Sequence, residues 1–219
     1  MLQLKLERQT TPELIADTLR NAIMKGELEP GMPLRESKLK TSLGVSRPVI
    51  REAFRLLTQD GLLTYNAYQG VSVSTLDKTD VTEIYTIRLL IEPFSLEHHQ
   101  PAILKAQLPR LQESSELFTK AIKKKDLVAM FDADLAFHTA IVKLAGVVRL
   151  EDFFQATIRE WRLAHRLYPR GMMDFSEVVR EHTGIVNALD RKNVSSAVKH
   201  LVKHLSRSRD YLLELMTPD

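Results

Sequence analysis

The sequence predicts a mainly α protein in two domains. These are an N-terminal winged helix-turn-helix over residues 1–75 and an all-helical, six-helix bundle over residues 76–219. Three features predict it. In Leu43–Gly61 a turn glycine, a helix cap and a helix with one apolar face follow each other directly. Behind them two short strand-like runs, Leu62–Tyr65 and Val71–Val73, flank the loop Asn66–Gly70. From Asp80 onward apolar residues keep helical spacing, broken only at turn-forming sites.

Thr11-Pro12-Glu13 opens the first helix, with Thr11 as cap and Pro12 in the first turn. Leu14, Ile15, Thr18, Leu19, Ala22 and Ile23 supply its apolar face, and Gly26 stops it. Glu29–Pro33 is a turn, and a short helix follows at Glu36–Leu43. Gly44 lets the chain leave that helix at positive φ, and Val45 returns to the core. Ser46 caps the third helix and Pro48 fits its first turn. Ile50, Ala53, Phe54 and Leu57 repeat at i, i+3, i+4, i+7 and form a buried face. Arg47, Arg51 and Arg55 step by four beside it. Such a row suits the major groove of DNA, where one arginine bonds both acceptors of a guanine edge for about 1–3 kcal/mol of discrimination. The plain alternative is a solvated helix face with ordinary surface arginines.

After the polar link Thr75–Asp80, helices are expected at about 80–98, 102–123, 126–145, 148–167, 174–190 and 193–216. Breaks fall at Pro101, Lys123–Lys125, Gly146, Pro169–Gly171 and Asp190–Asn193. All seven histidines lie in this half: His98, His99, His138, His165, His182, His200 and His204. Asp134 and His138 stand at i, i+4 on one helix, His182 is on a later one, and His200 and His204 form a second i, i+4 pair on the last. One carboxylate and three imidazoles converging from three helices would bind a divalent transition metal with positions left open. Scattered surface and core histidines are the alternative.

Composition narrows the function classes. The 219 residues contain no cysteine, which excludes disulfides, thiolate metal sites and a cysteine nucleophile. Hydrophobic residues make up 44% and charged residues 27%, as in globular proteins. The net charge is only +3, and residues 1–75 carry ten Lys and Arg against eight Asp and Glu, so nucleic-acid binding must rest on placement rather than total charge. No apolar run approaches the roughly 18–20 residues of a membrane span. Met1–Thr10 has no export-signal core, and a cytoplasmic location is expected.

Residues 10–75 resemble the DNA-binding domain of the GntR family of bacterial transcription regulators. The resemblance rests on Gly26 and Gly31, on Leu34-Arg35-Glu36 with Leu39, on the run Gly44–Ala53 with Leu57, on Asp60–Leu63, and on Gly70 in the wing. It implies that Ser46, Arg47 and Arg51 contact DNA and that Gly70 enters the minor groove. Arginine often follows the glutamate matching Glu36 in the family. Here Ser37 stands there, with Arg35 one position before the glutamate as the candidate substitute. Residues 80–216 resemble the FCD ligand-binding domain of the FadR subgroup, and the six-helix count is similar to the VanR-like branch. That resemblance implies a metal such as zinc, nickel or manganese held by Asp134, His138, His182 and His204, which helps bind a small organic acid effector. His200 lies one turn before the matching position and is outside the set. Arg88, with Glu92 on the same helix, matches a further pattern. Arg88 either pairs with the effector carboxylate or forms a structural pair with Glu92. Val147 replaces an asparagine that is frequent after the glycine matching Gly146, a change expected at the pocket floor. Trp161 and Arg162 are candidate lining residues, Trp161 more readily as core.

The leading expectation is a homodimeric regulator that reads a palindromic operator and senses a small carboxylate. The competing class is a helical non-haem metalloenzyme, since two histidines and a carboxylate with open positions also serve iron chemistry. The Glu-x-x-His pairs of di-iron bundles are absent from the sequence, as is any phosphate loop. A third possibility is an architectural DNA binder with no small-molecule ligand.

Overall fold

The computed structural model of the chain describes residues 11–68, 70–164 and 175–216. His165, the expected helix end at 167, the break at Pro169–Gly171 and the side chain of Arg162 lie outside the described residues. The chain divides into two compact units between Thr75 and Leu76.

The first unit runs α1 (Thr11–Met24), β1 (Pro33–Leu34), α2 (Glu36–Leu43), α3 (Arg47–Gln59), β2 (Leu63–Asn66) and β3 (Gly70–Val73). The spacing in α3 does what it demands: Ile50, Ala53, Phe54 and Leu57 are buried and pack toward α1. The face of α1 is rotated from the expected one. Ile15, Ala16, Leu19 and Ile23 are buried, whereas Leu14 is 51% exposed. Thr18 is also exposed, and its hydroxyl bonds back to the Leu14 carbonyl at 2.8 Å. A stripe at i, i+3, i+4 leaves both rotations open, and small Ala16 rather than Leu14 meets the core. Helix α1 starts at Thr11 itself, one residue before a Thr11 cap would place it.

Gly44 ends α2 at φ 66°, a conformation costly for any residue with a Cβ. Ser46 takes the extended N-cap conformation before α3, but its hydroxyl makes no capping bond. The sheet has the order β1-β3-β2 and is antiparallel. The hairpin pairs Leu63 with Val73 through to Asn66 with Gly70, so the loop is shorter than expected. Strand β1 was not anticipated. Two residues starting with a proline carry no alternation, and Pro33 is tolerated because β1 is an edge strand.

The second unit holds six helices among the described residues: α4 (Lys78–Glu97), α5 (Pro101–Lys124), α6 (Leu127–Lys143), α7 (Val148–Ala164), α8 (Phe175–Asp190) and α9 (Val194–Leu215). Asp77 and Asp80 form a capping box that starts α4. Asp126 and Asn193 cap α6 and α9 through their side chains. Val81, Tyr85, Phe137, Ile141, Trp161 and Leu201 belong to one buried cluster. Helix α4 packs on α6, α7 and α9, and α8 packs on α5 and α9. The inner faces of α4, α6, α8 and α9 therefore converge. None of the described helices is long and apolar enough to cross a membrane.

Candidate metal centre and nucleic-acid interface

Four side chains from three helices meet inside the bundle. Asp134 and His138 come from α6, His182 from α8 and His204 from α9. Their ligand atoms all lie within 4.8 Å of one another, and all four residues are buried. His182 Nε2 is 3.3 Å from Asp134 Oδ1, His138 Nε2 is 3.7 Å from Asp134 Oδ2, and the Nε2 atoms of His138 and His204 are 3.2 Å apart. Two ligands on one tetrahedral zinc ion stand about 3.3 Å apart, so the side chains are already spaced for an ion among them.

The remaining ring nitrogens define the proton positions. His138 Nδ1 is 2.5 Å from Glu92 Oε2, and His204 Nδ1 is 3.0 Å from Glu181 Oε2. A carboxylate only accepts, so each Nδ1 donates and each Nε2 turns a lone pair inward. Carboxylates that orient histidine ligands in this way are a recurring feature of metal sites. Glu92 also accepts from Arg88 Nε at 2.7 Å, and Glu181 accepts from Arg207 Nη2 at 2.7 Å. His182 is held differently. It stacks on Phe137 with ring centres 4.0 Å apart, and neither of its nitrogens has a hydrogen-bond partner. Orphaned buried nitrogens and facing lone pairs are costly without a cation between them. The donor set fits a borderline divalent metal.

The electrostatics agree. Burial holds His138, His182 and His204 well below the usual histidine range, which keeps their lone pairs available. Burial also pushes the Asp134 carboxyl up to about 7, against the pull of Arg88. Arg88 is raised: burial opposes its charge, but Glu92, with Tyr85 and Asp134, outweighs that.

Arg88 forms the structural pair with Glu92, yet its Nη2 is buried without a partner. Its guanidinium lies 5.2 Å from the Tyr85 ring centre and 4.9 Å from that of Trp161. Arg88, Asp134, His204 and Trp161 all line one cavity of about 20 Å³, roughly the space of one water molecule. Trp161 is core as well, and its Nε1–H donates to the Tyr85 hydroxyl at 3.2 Å. Val147 is 45% exposed and does not line this cavity, contrary to the expectation of a pocket-floor position. It sits at the surface between α6 and α7. His200 stands apart from the four ligands, half-buried against Gly184, where an added Cβ would come within 3.0 Å of its ring. The sequence reading missed Glu181 and Arg207 as supporting residues. Their signal was positional: Glu181 directly precedes His182, and Arg207 follows His204 by three.

In the first unit Arg35, Ser46, Arg47 and Arg51 are all exposed. Ser46, Arg47 and Arg51 are grouped at the start of α3, and Arg35 stands just before α2. Arg51 Nε donates to Glu36 Oε1 at 2.8 Å. Arg55, the third of the stripe, is paired with Glu52 on its own helix. Gly70 opens β3 at φ 82° with no atom within 4 Å of where a Cβ would stand.

Comparison with known proteins matches both units. Residues 11–73 match the family of bacterial regulatory proteins called gntR, and residues 83–207 match the FCD domain. An uncharacterized HTH-type transcriptional regulator, YdhC of Bacillus subtilis, is 28% identical over 97% of this chain and 96% of its own. The gluconate operon transcriptional repressor of Bacillus licheniformis is 32% identical over 63% of this chain and 56% of its own. A GntR transcriptional regulator from Rhodococcus sp. RHA1 superposes with a TM-score of 0.79 at 27% identity, covering 94% of this chain and 99% of that one. These relatives are regulators, not enzymes, which sets the metalloenzyme reading aside.

Proposed function

Because the chain belongs to the GntR family, is a DNA-binding transcription regulator and carries an FCD domain, we propose that its DNA binding is governed by a metal-anchored small carboxylate. Asp134, His138, His182 and His204 hold one divalent ion, and Glu92 and Glu181 orient two of the imidazoles toward it. When bound, the ion supplies a Lewis-acidic point of attachment for a carboxylate oxygen. Arg88 Nη2 offers a second anchor from α4. The observation that carries this reading is the convergence of Asp134, His138, His182 and His204 in the buried core, with the Nε2 atoms of His138 and His204 facing each other and the His182 nitrogens without a hydrogen-bond partner.

The protein acts as a cytoplasmic homodimer on a palindromic operator, since two-fold symmetry in the protein is matched by half-sites in the DNA. Ser46, Arg47 and Arg51 enter the major groove. The uncommitted Ser46 hydroxyl supports this, being available to a phosphate or base. Arg35 takes a backbone phosphate, and the open backbone at Gly70 approaches the minor groove. The effector changes operator affinity only insofar as it binds two dimer geometries unequally. Selection from a random duplex pool tests the DNA half: the wild-type chain enriches a palindrome, and Arg51→Ala does not. Enrichment of the same palindrome by both proteins would refute the assignment. A footprint unchanged by any carboxylate would favour the architectural alternative.

A further inference from the structure

We propose that the effector is a monocarboxylate with a compact apolar body, and neither a dicarboxylate nor a polyhydroxylated acid. This rests on reading the metal cluster and Arg88 as the effector site. Charge limits the ligand first. A divalent ion opposed by one ligating carboxylate, Asp134, leaves a single positive charge in the cluster. Arg88 is offset by Glu92, and Arg207 by Glu181. Arg88 is the only Lys or Arg among the described residues that line the cavity. One carboxylate neutralises the excess, and a second would meet no further Lys or Arg among the described lining residues.

The lining limits it further. Beyond Arg88, Asp134, His204 and Ser208 the described lining residues are Phe118, Met130, Phe131, Phe175, Val178 and the aromatic pair Tyr85 and Trp161. A chain of hydroxyls placed against those apolar side chains would give up its water for few donors and acceptors among the described lining residues. The Tyr85 and Trp161 rings lie 5.2 and 4.9 Å from the Arg88 guanidinium, so the cation is set among aromatic faces rather than in a cationic patch. The cavity of about 20 Å³ has to widen to admit any acid, which favours a short branched or aromatic body over a long chain.

The test is isothermal titration calorimetry on the full-length, zinc-loaded protein. The probes are 4-methylpentanoate, phenylacetate, glutarate, gluconate and the neutral alcohol 4-methylpentan-1-ol. The two apolar acids are expected to bind about tenfold or more tightly than glutarate and gluconate, with a negative heat-capacity change that marks apolar burial. The alcohol is expected not to bind. Glutarate or gluconate binding as tightly as the apolar acids would overturn the ligand class while leaving the carboxylate site intact. An alcohol that binds like its acid, or no binding by any acid, would overturn the effector site itself and the class with it. The ranking needs no substitution in the buried cluster, so misfolding of a variant cannot decide it.

Discussion

The Nε2 atoms of His138 and His204 face each other at 3.2 Å with both Nδ1 protons committed elsewhere, to Glu92 and Glu181. Protonating either ring would relieve the contact, but burial resists that charge. A cation between the rings relieves it without a proton. The bundle is therefore expected to be more stable with metal than without.

That expectation is measurable through Trp161, the only tryptophan, which lies in the second unit. Free metal at a thousandfold over its Kd adds about 4 kcal/mol to a site absent from the unfolded chain. A melt followed by Trp161 fluorescence should shift down by several degrees when a chelator is added. An Asp134→Asn variant should show a much smaller shift.

The carboxylates behind the histidines matter nearly as much as the ligands. Glu92→Gln and Glu181→Gln should each weaken metal binding about 10–100-fold, read by competition with a chromophoric chelator. Glu92→Gln is the more severe, because it also strips the buried Arg88 of its counter-charge. His200→Ala, next to the cluster in sequence but packed on Gly184, should leave the affinity unchanged.

Acidity should act on the metal through Asp134 first. Its carboxyl is raised from the ordinary 3.8 to about 7 in the metal-free chain, and an ion binds only the ionised form. Affinity should fall about tenfold per pH unit below 7 and level off above it. Stability of the metal-free chain has two opposing contributions. Between the ordinary carboxyl value and 7, the folded chain holds a proton on Asp134 that the unfolded chain has lost, so this contribution declines as pH rises through that window. The three histidines are depressed, so theirs is present above the ordinary 6.5 and is lost as pH falls below it. A metal affinity that is flat from pH 5 to pH 8 would contradict the Asp134 assignment.

On the DNA side, Glu36 holds Arg51 through Nε and leaves both terminal nitrogens for a guanine edge. Arg51→Ala should cost about 1–3 kcal/mol and relax the preference at one base position. Glu36→Gln should lower discrimination between operator and mismatched duplex by a smaller factor, with the salt dependence unchanged. Arg35→Ala should weaken binding evenly across sequences and reduce the salt slope by about one. Fluorescence anisotropy across a salt series separates the three.

Much of this was legible in the sequence because helical spacing is a local property. The bounds of α2 and the buried face of α3 follow from capping and from i, i+3, i+4 repeats within a dozen residues. So does the Arg88–Glu92 pair, one turn apart on α4. The four ligands needed more. Spacing offered Asp134 with His138, and the family resemblance selected His182 and His204 over the four histidines outside the set. What stayed hidden depends on tertiary contact. The rotation of α1 is decided by α3, strand β1 exists only because β3 offers it a partner, and Glu181 and Arg207 acquire their roles only when α8 packs on α9. Val147 shows the reverse error, in which a position inherited from a family pattern lies on the surface of this chain.

Native mass spectrometry of the full-length chain, purified without chelator or a polyhistidine tag and supplied with zinc, nickel or manganese, tests the central claim most directly. His182→Ala is run beside it. The account predicts one divalent ion per wild-type chain and none in the variant. A wild-type chain that stays bare with all three metals, or a variant that keeps its ion, would contradict it.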